Sequence, residues 1–110
     1  YITRIVVMKT DYLHGIPEAW QGNARVFTAL GDEHRQRIVL LFEPGERLSI
    51  SQIVAVSPLS RTAVSHHLRV LREAGVLQSE KVGKEVMVWL DKKYLLQTFE
   101  TVCTFIKKNI

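Results

Sequence analysis

Residues 60–75 read SRTAVSHHLRVLREAG, with two imidazoles side by side at His66 and His67 and guanidinium groups at Arg61, Arg69 and Arg72. Adjacent histidines suit a metal site, a general base, or a surface that touches something polar. Successive residues on a helix diverge by about 100°, so neighbouring imidazoles point apart, whereas gripping one ion wants i, i+4 spacing. No H-E-x-x-H is present, and His14 and His34 stand in unrelated segments. A general base needs a nucleophile within hydrogen-bond reach and a carboxylate to orient it, and nothing in the sequence supplies either beside this pair. Metal and enzyme readings are therefore set aside for these residues.

The helix as a whole gives a better account. Val64, Leu68 and Leu71 form an inward stripe, while Thr62, Ser65, His66, Arg69 and Glu73 fall opposite, flanked by Arg61 and Arg72. The outer face is small, polar and basic, and a helix of about 15 residues spans roughly 21 Å and fits the major groove of B-DNA. Arg61 and Arg69 could offer paired donors to guanine, Ser65 and His66 shorter contacts to bases or phosphates, and Thr62 a methyl to thymine. Ser60 reads first as an N-cap, and His67 as a structural residue turned to the domain side. A polar outer face is ordinarily only a solvated face, so the weight rests on the elements around it.

Pro17, Gly31, Pro44-Gly45, Pro58, Gly75 and Gly83 punctuate the chain. A helix is expected from Pro17 to Leu30, with Trp20, Ala24 and Phe27 on one face, and another from an Asp32 cap through Phe42, with Ile38, Leu41 and Phe42 as its stripe. Ser49 followed by Gln52 forms a capping box for a short helix ending near Val56. After Ser57-Pro58-Leu59, Ser60 caps the basic helix, and Gly75 suits its left-handed end. VLQSEKV and EVMVWL then read as a hairpin through Gly83-Lys84, with a type II′ turn. The order is that of a winged helix-turn-helix: mainly α, with a β-hairpin wing whose Lys81, Gly83 and Lys84 reach the duplex backbone. From Lys92, a last helix sets Leu95, Phe99, Val102 and Ile106 at i, i+4, i+7 and i+11. One small domain has little core left to cover that stripe, so a second copy is expected there, the first and last helices sharing the seam.

Composition agrees. The 110 residues fit one core, and three of the four net positive charges lie in residues 58–84, where Arg61, Arg69, Arg72, Lys81 and Lys84 face only Glu73 and Glu80. Cys103 is the sole cysteine, so an intrachain disulfide framework is excluded and a reducing, cytoplasmic setting is expected. No apolar run approaches the length of a membrane span, and the opening YITRIVVMK lacks a secretory pattern. Residues 1–16 read as an N-terminal extension and 17–110 as the DNA-binding and dimerisation domain.

ALGDEHRQRIVLLF, LSISQI and SRTAVSHHLRVLREAGVLQSEKVGKEVMVWL together resemble the ArsR/SmtB family of bacterial winged-helix repressors over residues 24–91, most specifically through V-S-x-H-L and L-R-E-A-G-V-L. The resemblance implies a homodimer on an inverted-repeat operator, released by an effector that these residues do not name. It also implies that His67 is the family's histidine and His66 its variable neighbour. The departures matter: Ser49 and Ser51 stand where arsenic sensors carry C-x-C, and residues 92–110 hold no histidine and only Glu100 as a side-chain carboxylate. Neither set suits the family's metals, and one cysteine cannot form an intrachain dithiol sensor. The expectation is a repressor with no metal or cofactor at those positions. The alternatives are a metal or thiol sensor using Cys103 across a dimer, and a winged-helix protein-interaction module without DNA binding.

Overall fold

The computed structural model describes residues 15–110. The expected extension over residues 1–16 falls almost wholly outside the described residues, as does His14. A 3-10 turn at Glu18–Trp20 leads into α1 (Asn23–Leu30), α2 (Glu33–Val39), β1 (Leu48–Ser49), α3 (Ile50–Val56), α4 (Arg61–Glu73), β2 (Leu77–Val82), β3 (Glu85–Leu90) and α5 (Lys92–Asn109). The strands form an antiparallel sheet in the order β1-β3-β2. This is a winged helix-turn-helix.

Most local signals act as expected. Ser49 Oγ accepts from the Gln52 N–H at 3.0 Å while Gln52 Oε1 accepts from the Ser49 N–H at 2.7 Å, closing the capping box of α3. Ser60 Oγ accepts from the Ala63 N–H at 3.1 Å and opens α4. At the other end of α4, Gly75 turns left-handed at φ 83°. There the N–H groups of Val76 and Gly75 return to the carbonyls of Leu71 and Arg72, each at 3.0 Å, a Schellman closure. Gly83 at φ 61°, followed by a lysine with negative φ, is the backbone a II′ turn requires.

Three expectations are corrected. The single helix from Pro17 to Leu30 is two pieces, because the chain extends at Gln21 and turns left-handed at Gly22, φ 86°. Trp20 therefore lies on a separate 3-10 turn. The second helix ends at Val39, not Phe42: Leu41 and Phe42 donate to Ile38 and Val39, i to i−3, so its last turn tightens out of α geometry. The wing is three strands, not two, since Leu48 and Ser49 pair with Val88 and Met87.

The core gathers Val26 and Ala29 of α1, Ile38 of α2, Ile53 of α3, Val64, Leu68 and Leu71 of α4, Leu77 of β2 and Val88 of β3. Each fully buried aliphatic side chain contributes about 1.5–3 kcal/mol. The three on α4 fix which face of that helix remains outside. α5 buries only Thr98 within the chain. Among the described residues, no helix is long and apolar enough to cross a membrane.

Candidate nucleic-acid interface

α4 is 13 residues long, about 20 Å at 1.5 Å per residue, and it presents Arg61, Thr62, His66 and Arg69 to solvent. Ser60 is exposed beside them and Ser65 is half-buried, so Ser65 sits at the edge of the face rather than its centre. Lys81, Gly83 and Lys84 are exposed at the wing tip. The expected recognition and wing residues thus lie on successive elements, α4 and the β2-β3 turn, carried by one core.

The arginines divide into two groups. Arg72 donates to Ser79 Oγ of β2 at 3.4 Å, Arg37 pairs with Glu33 at 3.5 Å, and Arg47 pairs with Glu80 at 3.0 Å while lying 3.8 Å over the Trp89 ring. Arg35 is tied at three points: its Nε donates to Ala29 O at 2.7 Å, and its two terminal nitrogens to Thr28 O at 3.3 Å and His67 Nδ1 at 3.2 Å. Among the described residues, no ion pair or hydrogen bond engages the side chains of Arg61, Arg69, Lys81 or Lys84. The engaged cations hold the scaffold, and those four remain available to an outside anion, as do Arg25 of α1 and Lys92, Lys93, Lys107 and Lys108 of α5 on other elements.

The histidines need one correction. The centroids of His66 and His67 are 5.7 Å apart, but His34 is not in an unrelated place, because α2 packs on α4 and brings it 5.8 Å from His67. His66 faces outward and His67 is half-buried, as expected. An arginine only donates, so Nδ1 of His67 is a bare acceptor, the neutral ring carries its proton on Nε2, and neither nitrogen is free for a metal ion. Burial holds this imidazole below the ordinary 6.5, with Asp32 pulling upward and Arg35, His34 and His66 adding to the fall. Asp32 caps α2 by accepting from the Arg35 N–H at 3.1 Å, and that bond holds its carboxyl below 3.8.

Arg35 and His34 were not legible as site neighbours, since only the packing of α2 on α4 joins residues so far apart in sequence. Arg47, which fastens the loop before β1 to Trp89 and Glu80, gave no sequence signal either.

The residues expected at a dimer seam meet only in part within the chain. The Trp20 and Phe105 rings meet edge to face at 5.3 Å, and Phe27 lies 6.4 Å from Phe99. Phe27, Phe99 and Ile106 remain 40%, 43% and 49% exposed, Ala24 is exposed, Val102 is half-buried, and Leu95 packs instead against the chain's own core. The arsenic-sensor positions do not fit a metal: Ser49 is buried with its hydroxyl committed to the cap, and Ser51 is exposed on α3. Cys103 is exposed on α5.

Residues 32–79 match the profile described as bacterial regulatory protein, arsR family. The cadmium resistance transcriptional regulatory protein CadC homolog of Staphylococcus aureus is 32% identical over 77 residues, 70% of this chain and 64% of that protein. The chain thus spans less than two thirds of that relative. The transcriptional repressor SdpR of Bacillus subtilis is 28% identical over 76% of this chain and 92% of its own. The solved ArsR-like transcriptional regulator from Rhodococcus sp. RHA1 superposes with a TM-score of 0.72 at 31% identity, covering 79% of this chain and 81% of that one. Matched in sequence over its helix-turn-helix and in structure over 79% of its length, the chain belongs to the ArsR family of bacterial regulatory proteins.

Proposed function

We propose that this protein is a cytoplasmic, non-enzymatic transcriptional repressor that binds an inverted-repeat operator as a homodimer. The observation that carries the reading is the division of the cations: the scaffold arginines are occupied, while Arg61 and Arg69 on α4 and Lys81 and Lys84 on the wing are exposed and unengaged. Arg61, Thr62, His66 and Arg69 read base edges, Ser60 and Ser65 support the backbone approach, and Lys81 and Lys84 with the Gly83 turn hold phosphates. Residues 17–110 form the working domain, with Trp20, Ala24, Phe27, Phe99, Val102 and Ile106 in the seam between copies and Leu95 behind it. Two recognition helices then meet successive major grooves about 34–36 Å apart.

Release does not run through the family's metal positions, because the Ser49 hydroxyl is committed to the cap and α5 offers no histidine. The staphylococcal relative carries cadmium resistance in its name, and nothing at these positions transfers that to this chain. Titration of wild-type protein against a duplex selected from a random pool and against its scrambled counterpart, across a range of salt, tests the function. Tighter binding to the selected duplex, weakening steeply with salt, is expected. Equal affinity for both would reduce the protein to a nonspecific binder, and no binding to either would leave an interaction module.

A further inference from the structure

We propose that the Arg35–His67 contact is a proton-sensitive latch on the recognition helix, closed while His67 is neutral and opened by acidification. It rests on the reading of α4 as the DNA-contacting helix and adds a control to it.

The latch joins three helices. Arg35, in the first turn of α2, uses Nε and one terminal nitrogen on the Ala29 and Thr28 carbonyls in the last turn of α1, where Thr28 O also accepts from the Gly31 N–H at 3.2 Å. Its other terminal nitrogen donates to His67 Nδ1 at 3.2 Å, halfway along α4. A guanidinium has no acceptor and keeps its proton, so the bond exists only while Nδ1 is bare. Protonation places an N–H against an N–H and a second cation beside the first. The charged and titratable groups facing His67 are Asp32, His34 and Arg35 at the start of α2, and His66 on α4. Asp32 is the only anion among them, and it already accepts from the backbone of Arg35.

Burial keeps His67 neutral further into acid than a free imidazole, so the latch is closed near neutrality and opens below the ordinary value of 6.5. His67 stands between His66 and Leu68, within the turn that presents Arg69. Releasing it loosens the outward face where base contacts are proposed, while the positive charge that acid adds strengthens attraction to any phosphate. Acid therefore costs specificity before it costs affinity.

The test uses a duplex selected by the wild-type protein at pH 7.5, its scrambled counterpart, and fluorescence anisotropy at constant ionic strength from pH 7.5 to 5.5. The ring protons of His67 are followed by NMR without DNA. An imidazole of ordinary pKa is about ten times more often charged than neutral at pH 5.5, so wild-type affinity for the selected duplex should fall by up to about tenfold per recognition helix. Affinity for the scrambled duplex should not fall. His67→Asn sets a non-titrating oxygen near the place of Nδ1; it should bind normally at pH 7.5 and lose less than about threefold at pH 5.5. A fall as large as wild type overturns the latch. Arg35→Met removes the neighbouring cation and should move the His67 titration to higher pH, and an unmoved titration overturns the latch whether or not the asparagine variant folds. If wild type binds neither duplex at pH 7.5, the repressor reading fails, and the NMR measurements still decide the contact.

Discussion

Gly75→Ala is expected to be the most damaging single-methyl change in the protein. Gly75 closes α4 at φ 83°, and a Cβ there would lie 2.7 Å from Tyr94 Cε2, 3.1 Å from Cδ2 and 3.3 Å from Cζ. Placing an L residue in the left-handed region costs about 1–2 kcal/mol, offset by a few tenths to 1 kcal/mol because alanine restricts the unfolded chain. Driving the Tyr94 ring out of its seat adds about 1–3 kcal/mol of overpacking. The sum is about 2–4 kcal/mol, a fall in Tm of roughly 9–17 °C for a domain of this size. Gly45→Ala is the control, for Gly45 has φ 72° with nothing within 4 Å of its Cβ, and should lose only the backbone part, about 1 kcal/mol. Thermal unfolding at one protein concentration measures both. Adding Tyr94→Ala to each glycine variant should reveal a coupling of about 1–3 kcal/mol at Gly75 and none at Gly45. Equal losses for the two glycine variants would refute the role of Tyr94 as the stop that seats α5 against the end of α4.

Arg61→Ala or Arg69→Ala should weaken binding to a selected duplex by about 1–3 kcal/mol and relax preference at one base position; equal loss on a scrambled duplex would demote the residue to a phosphate contact. Lys84→Ala should reduce the slope of log K against log salt by about 0.9, and an unchanged slope would take the wing off the backbone. Phe99→Asp, placing a charge in the aromatic seam with Phe27, should give a monomer that binds DNA weakly, and sedimentation of an intact dimer would move the interface elsewhere. Without DNA, stability should fall as pH drops below 6.5, where unfolded His67 takes up a proton before the folded ring does, and again below 3.8, where the unfolded chain protonates Asp32 first. Urea unfolding that gave the same stability at pH 7.5 and 5.5 would contradict the first of these.

Local chemistry was legible wherever a residue acts on its own neighbours. The Ser49–Gln52 box, the Ser60 cap, the Gly75 closure and the Gly83 turn each work within a few residues, and each stands as its pattern implies. The inward stripe of α4 was equally plain, since Val64, Leu68 and Leu71 repeat at helical spacing and are all fully buried. What was missed depends on distant partners. Gly22 breaks a helix whose apolar spacing runs on unbroken by turning left-handed, and the Tyr94 hydroxyl, some seventy residues away, lies 2.8 Å from where a Cβ would stand. Leu48 and Ser49 are too short a run to announce a strand and become one only against β3. Of the candidate site, the sequence grouped the unengaged Arg61, Arg69, Lys81 and Lys84 with Arg72, which Ser79 holds, because a basic residue on an exposed face looks the same in sequence whether or not a partner awaits it.

Ser49 belongs at once to the strand paired with Met87 and to the cap of α3, so the sheet and the helix-turn-helix share a residue. Arg47, two positions earlier, fastens the same junction to Trp89 and Glu80. The wing is thus braced at its root, and the span from recognition helix to wing tip is tied to the sheet that carries both. On the proposed reading, a duplex would have to match that span, and a signal that loosens the grip would act most directly by re-aiming one copy against the other or by unseating α4.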